Sequence, residues 1–140
     1  MTGIVVSIIL TLHWEISVVI MKTVISIQSF TMNDLFTDIS VNSIEIREWD
    51  NDELIDTITD EDFIAALIAD LESAKSSTTA NLDIPNPDYQ LLFFAEDKIV
   101  QELSYYTEEK LYNGKKGQFT SFKEDRHYGL STELPINNHH

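Results

Sequence analysis

The chain has 140 residues, a length that suits one domain with a sizeable hydrophobic core. Acidic side chains outnumber basic ones by 24 to 9, and the net charge of -15 repels phosphate backbones and anionic membrane surfaces. Nucleic acid and anionic lipid are therefore disfavoured as partners, whereas a basic protein surface is favoured. The chain has no cysteine, which excludes disulfides, thiolate metal sites and thiol nucleophiles.

Residues 1–42 form an apolar N-terminal segment whose nature the sequence leaves open. Its most apolar part, Gly3 to Ile20, has His13 and Glu15 near its centre, which is atypical of a membrane span. A secretory signal requires positive side chains before its apolar run, and none precedes this one. Its Ile, Val and Thr content is also typical of β-strands. The segment is thus two strands, a degenerate leader or anchor, or an extension before a natural start at Met21.

An acidic α+β domain is predicted over residues 43–135, followed by a mobile tail at 136–140. Alternation from Ser43 to Trp49 predicts a half-buried strand, and the acidic stretch after it predicts a loop. A helix is predicted over Asp60 to Lys75, with Thr59 as its N-cap and acidic residues in its first turn. Its apolar residues follow helical spacing and predict one buried stripe: Phe63, Ile64, Leu67, Ile68 and Leu71.

The second half of the domain is predicted to be β-rich. Ser76 to Asp88 contains two prolines and predicts a surface loop, after which Tyr89 to Glu96 and Lys98 to Tyr106 predict a hairpin. If both faces of that hairpin are apolar, the face that the helix leaves uncovered is a candidate protein interface. The Asn-Gly pair predicts a second hairpin, with arms at Glu109 to Tyr112 and Gln118 to Phe122.

A short last strand within His127 to Leu134 completes the predicted architecture. The elements together predict a two-layer α+β fold, in which one amphipathic helix packs on an antiparallel β-meander.

The strongest electrostatic feature is a run of eleven acidic residues between Glu45 and Glu72, interrupted by one basic residue. A basic partner would relieve the mutual repulsion of these carboxylates. The alternative is that they only cap the helix and keep the domain soluble, without a specific partner. The candidate partner-binding residues precede the predicted helix: Asp50, Asp52, Glu53 and Asp56. The same stretch approaches the register of a calcium-binding loop but places Ile55 where the turn requires glycine, so no metal site is predicted.

No pattern in the sequence predicts catalysis or cofactor binding. His127 lies beside Asp125 and could titrate near neutral pH, but a single histidine in a polar segment is usually exposed. The serines lack a nucleophile-elbow context, and the four glycines form no phosphate-binding loop. A non-enzymatic protein without a cofactor is therefore expected.

Several short motifs between Ile44 and Leu134 resemble those of the YhfM-like domains of small bacterial cell-envelope lipoproteins. They are the strand IEI, the helix ITDEDFIAALIADLESAK, the segment PNPDYQLLFF and the closing HYGLSTEL. The resemblance implies a ligand-free accessory domain of the envelope and carries over no catalytic residue. The lipid-acceptor cysteine of that family has no counterpart in this chain.

Two classes of function follow. The first is a non-enzymatic binding or accessory domain of the bacterial cell envelope. The second is a cytoplasmic acidic interaction protein, such as an immunity protein that neutralises a toxin. The resemblance favours the first class, and the acidic segment together with the small size motivates the second.

Overall fold

The computed structural model describes residues 33–111 and 114–136. The expectations for residues 1–32 and for residues 137–140 of the tail lie outside this part of the chain. The described residues form one α-helix and a seven-stranded antiparallel sheet. The elements in chain order are β1 (Ser43–Glu48), β2 (Leu54–Ile58), α1 (Glu61–Ser73), β3 (Ser76–Thr78), β4 (Tyr89–Ala95), β5 (Lys98–Tyr106), β6 (Gln118–Ser121) and β7 (Arg126–Ser131).

The strands lie in the order β2-β1-β4-β5-β6-β7-β3, and the helix packs on one face of this sheet. Strands β4 to β7 form a meander, because each pairs with the next along the chain. The hairpin β1–β2 extends the meander on the β4 side, and β3 extends it beyond β7. The predicted α+β fold, with one helix on an antiparallel meander, is confirmed.

Helix α1 begins one residue later than predicted. Asp60 is the N-cap, and its carboxylate accepts hydrogen bonds from the backbone N–H groups of Asp62 (3.0 Å) and Phe63 (3.2 Å). The prediction of Thr59 was wrong because both residue types cap helices well, and pairing of the preceding strand through Ile58 determines which one is used. The last helical residue, Ser73, lies two positions before the predicted end.

The buried stripe of α1 is confirmed. Ile64, Leu67 and Leu71 are buried, while Phe63 and Ile68 are half-buried at the sides of the stripe. They pack on side chains that alternate along the sheet strands and share its helix-facing side. The sheet contributes to this core Ile44, Ile46, Ile58, Leu91, Phe93, Leu103, Tyr105, Phe119 and Tyr128.

Residues 33–42, which sequence analysis grouped with the apolar N-terminal segment, pack on this domain. The ring of Phe36 is buried and its centroid lies 5.0 Å from that of Phe93. The side-chain amide of Asn33 donates to the carbonyls of Leu71 (2.8 Å) and Ala74 (2.7 Å). Asn33 therefore satisfies carbonyl groups at the end of α1, where intrahelical donors are lacking.

Two segments that were predicted as loops form the outermost described strands of the sheet. Leu54–Ile58 is strand β2, paired with β1, and Ser76–Thr78 is strand β3, paired with β7. Both predictions were wrong because these strands are short, and because Leu54–Ile58 begins within an acidic stretch while Ser76–Thr78 is wholly polar. Their strand conformation depends on hydrogen bonds to a neighbouring strand, which local sequence does not reveal.

The predicted second hairpin is also wrong. Strand β6 pairs with the end of β5 and with β7, and residues 109–111 form no strand. The connection between β5 and β6 ends at Gly117, which has a positive φ of +71°. The N–H of Gly117 donates to the carbonyl of Tyr106 (2.9 Å). The Asn-Gly pair therefore lies in a connection between adjacent strands, as predicted, but the strand before it is β5 and not residues 109–111.

The sheet face opposite α1 is covered in part by a loop and by aromatic side chains. Tyr106 is fully buried there, and its hydroxyl donates to the carbonyl of Pro85 in the segment between β3 and β4 (2.7 Å). The rings of Trp49 and Phe122 stack with centroids 5.2 Å apart. Leu92 on this face is only 8% exposed, so the apolar centre is not a free interface. No helix of the described residues is long and apolar enough to cross a membrane.

Candidate functional site

The turn between β1 and β2 holds most of the predicted acidic residues in a fixed backbone. The N–H of Glu48 donates to the carbonyl of Glu53 (2.8 Å), and the N–H of Asp52 donates back to the carbonyl of Glu48 (3.0 Å). Asp52 adopts a positive φ of 61°, which aspartate tolerates better than most residues. The Arg47 guanidinium donates to the carbonyl of Asp52 (2.9 Å) and binds the carboxylate of Glu45 (2.8 Å). The turn therefore presents exposed carboxylates from an ordered backbone.

A cleft of about 340 Å³ lies beside this turn, and we call it the acidic cleft. Three of its side chains are carboxylates: Glu48 at the end of β1, Asp50 in the turn and Asp88 just before β4. The backbone N–H of Trp49 donates to the carbonyl of Asp88 (3.1 Å) and holds the two sides together. The remaining lining consists of Asn86, Pro87, Tyr89, Thr107 and Lys110.

One of the three carboxylates is already paired. The Lys110 ammonium lies 2.6 Å from one carboxylate oxygen of Asp88, and the other oxygen accepts from the N–H (2.7 Å) and hydroxyl (2.9 Å) of Thr107. Partial burial alone would raise the pKa of Asp88, but these hydrogen bonds outweigh it and hold the pKa below its ordinary value. Asp88 is therefore ionised at neutral pH, and the cleft accommodates a lysine ammonium.

The four predicted partner-binding residues lie partly in the β1–β2 turn and partly on strand β2. Asp50 lines the acidic cleft, while Asp52 and Glu53 are exposed in the turn. Asp56 is half-buried on β2, opposite the core residue Ile46. Opposite residues of an antiparallel pair share a face, so Asp56 lies on the helix-bearing side of the sheet. The sequence run is thus divided between the turn and an outer strand.

Sequence reasoning missed Glu48, Asp88 and Lys110 as parts of the cleft. Asp88 lies 38 residues after Asp50 in the chain, and only the pairing of β1 with β4 brings the two segments together. The proline before Asp88 marks the start of a strand, but nothing in the local pattern indicates which strand lies beside it. Lys110 lies in the long connection after β5, whose course the sequence did not predict.

His127 is buried rather than exposed, contrary to expectation. It is 7% exposed on β7, and its Nε2 lies 2.8 Å from the side-chain oxygen of Gln118 on β6. The Gln118 amide nitrogen donates to the carbonyl of Lys115 (3.0 Å), so the amide oxygen is the acceptor and His127 Nε2 carries the proton. Burial lowers the pKa of His127, which keeps the imidazole neutral at pH 7.

Residues 33–111 and 114–136 contain no group of three His, Asp or Glu side chains arranged to hold a metal ion. Within the same part of the chain, the Thr120 hydroxyl is the one buried side-chain polar atom without a hydrogen-bond partner. No protein-family model, curated protein or solved structure matches this chain.

Proposed function

We propose that this domain is a non-enzymatic binding module that receives a basic side chain of a partner protein in the acidic cleft. The observation that carries the proposal is the arrangement of Glu48 and Asp50 around a cleft whose third carboxylate, on Asp88, already binds a lysine. Two carboxylates therefore remain to pair with a cation supplied from outside. Burial of their charges against a partner lysine or arginine would be compensated by ion pairing.

The ordered backbone of the turn supports this role. Hydrogen bonds within the turn, together with Arg47, fix the backbone that carries the carboxylates before a partner arrives. Preorganisation of this kind reduces the entropy lost on binding. The high negative charge would accelerate encounter with a basic surface, and the effect would decline with salt because the Debye length falls from about 30 Å at 0.01 M to about 8 Å at physiological ionic strength.

The proposed setting is the bacterial cell envelope, where the domain would act as an accessory to other proteins. This part of the proposal rests on the resemblance to YhfM-like domains. Fractionation of the native host cell tests it. Recovery with the membrane or outside the cell supports the envelope assignment, and recovery only in the cytosol supports a cytoplasmic interaction protein.

Binding of an oligolysine peptide tests the cleft directly. We expect the double variant Glu48→Gln/Asp50→Asn to bind the peptide about tenfold more weakly than the unmodified chain at low salt, since each lost charge pair removes a charge-assisted hydrogen bond. The matched control is Asp70→Asn/Asp83→Asn, which removes two exposed carboxylates outside the cleft. Equal weakening by the two variants would show that only net charge attracts the peptide and would contradict the proposal.

A pull-down from host lysate tests whether a natural partner uses the wider acidic turn. The variant carries Asp50→Asn, Asp52→Asn, Glu53→Gln and Asp56→Asn. We expect it to lose the protein that the unmodified chain retains at 0.01 M salt and releases as salt rises. Retention of that protein with an unchanged salt dependence would remove the turn from consideration.

A further inference from the structure

A second cavity, of about 260 Å³, lies on the β7 side of the sheet and has the opposite charge character. Its lining includes Lys75 and Lys115 but no carboxylate, in a chain with 24 acidic residues. Four larger cavities formed by the described residues each include at least one carboxylate. The remaining lining residues are Gln118, His127, Gly129, Leu130 and Ser131.

Hydrogen bonds to the backbone carbonyls of both lysines hold their main chain beside this cavity. The N–H of Gly129 on β7 donates to the carbonyl of Lys75 (2.6 Å), just after the end of α1. The Gln118 side chain donates to the carbonyl of Lys115 (3.0 Å). Neither lysine ammonium is paired with a carboxylate of the described residues, so both positive charges are available to an anion.

The inner wall of the cavity is polar and buried. Gln118 is 3% exposed and His127 is 7% exposed, and the two side chains are hydrogen-bonded to each other. Ser131 adds a third polar side chain to the lining. Polar side chains that line a cavity are more consistent with a polar ligand than with an apolar one.

We propose that this cavity binds a small phosphate group, held between the ammonium groups of Lys75 and Lys115. Two ammonium groups complement a phosphate group, whose charge at neutral pH lies between about -1.5 and -2, and the volume admits a small anion but not a large ligand. This site is separate from the acidic cleft, so either proposal can fail without the other.

A titration of the full chain with inorganic phosphate tests the site. The NMR signals of the backbone amides and of the His127 imidazole monitor the binding. The reference is sodium chloride at matched ionic strength. We expect saturable shifts confined to β6, β7 and the residues around Lys75 and Lys115. We expect Lys75→Gln and Lys115→Gln each to weaken phosphate binding about tenfold, through the loss of one charge-assisted hydrogen bond.

The control is Lys98→Gln, which removes an exposed lysine in the β4–β5 hairpin, outside the cavity, and should leave phosphate affinity unchanged. A parallel titration with glycerol 3-phosphate distinguishes two sources of the group. Binding of both compounds indicates a phosphate carried on a larger molecule, and binding of inorganic phosphate alone indicates the free ion. Shifts that do not saturate, or equal weakening by Lys98→Gln, would overturn the proposal.

Discussion

Gly117 is a tightly constrained residue at the end of the connection between β5 and β6. Its φ is +71°, and a Cβ atom built there would lie 2.5 Å from the carbonyl oxygen of Thr132 and 3.0 Å from the Tyr105 hydroxyl. That hydroxyl donates to the Thr132 carbonyl (2.8 Å), and burial raises the pKa of Tyr105 to about 12. A side chain at position 117 would therefore disturb both the backbone and a partly buried hydrogen bond.

We expect Gly117→Ala to lower the free energy of unfolding by about 2 kcal/mol or more, from backbone strain together with the steric clash. Chemical denaturation measures the change. Gly114→Ala is the matched control, because Gly114 also has a positive φ, of +55°, but a Cβ there would have its nearest neighbour at 4.0 Å. We expect the control to cost about 1 kcal/mol. Equal losses of unfolding free energy would show that the steric clash of a Cβ at position 117 contributes nothing to the loss.

His127 should make stability depend on pH. Because burial lowers its pKa in the folded state, the unfolded chain binds the proton more readily below the ordinary value of 6.5. The stability that neutral His127 contributes is therefore present above pH 6.5 and is lost as the pH falls through the lowered value. We expect the fall in the free energy of unfolding from pH 7 to pH 5 to be smaller in His127→Gln than in the unmodified chain. Parallel falls would contradict the assignment.

At the scale of elements, the packing of α1 can be tested at the centre of its buried stripe. Leu67 is buried at the centre of the stripe, between Ile64 and Leu71. We expect Leu67→Asp to abolish cooperative thermal unfolding, because the variant places an unpaired carboxylate in the core. Ala66→Asp is the control, since Ala66 is exposed on the same helix and should retain a sharp transition. A sharp transition of Leu67→Asp near the original temperature would contradict the packing.

The elements that could be predicted are those whose apolar spacing is long and regular. Helix α1 and the β4–β5 hairpin carry such patterns, and their bounds were predicted to within about two residues. Strands β2 and β3 could not be predicted, because Leu54–Ile58 contains an aspartate and Ser76–Thr78 has three polar residues. What defines these strands is pairing with β1 and β7, and that is a tertiary property.

The candidate site shows the same division. Asp50 was predicted from the density of charge along the chain, and the structure places it in the acidic cleft. Its neighbours Asp88 and Lys110 could not be predicted, because they reach the cleft through the pairing of β1 with β4 and through the connection after β5. The burial of His127 was missed for a related reason. Its polar sequence neighbours concealed a position on the covered face of the sheet.

At the scale of the whole molecule, the net charge of -15 should oppose folding through self-repulsion. We expect the melting temperature to rise by roughly 4 °C between 0.01 M and 0.15 M sodium chloride, which corresponds to about 1 kcal/mol for a domain of this size. Scanning calorimetry at the two salt concentrations measures the rise. The variant with Asp50, Asp52, Glu53 and Asp56 neutralised should show a smaller rise, and an unchanged rise would locate the repulsion elsewhere.

The stacking of Trp49 on Phe122 gives the domain an intrinsic optical probe. Trp49 directly precedes the acidic turn, and its backbone N–H donates to the carbonyl of Asp88 at the acidic cleft. Its ring stacks on Phe122, which follows β6. The other tryptophan, Trp14, can be replaced by phenylalanine so that only Trp49 emits. The emission of Trp49 should then shift to the red when the two halves of the sheet separate, and it should change in intensity when a cation enters the acidic cleft. Phe122→Ala removes the stacking partner of Trp49 but keeps the carboxylates. It should therefore alter the starting spectrum and leave the response to a cation in place, which separates the unfolding signal from the binding signal.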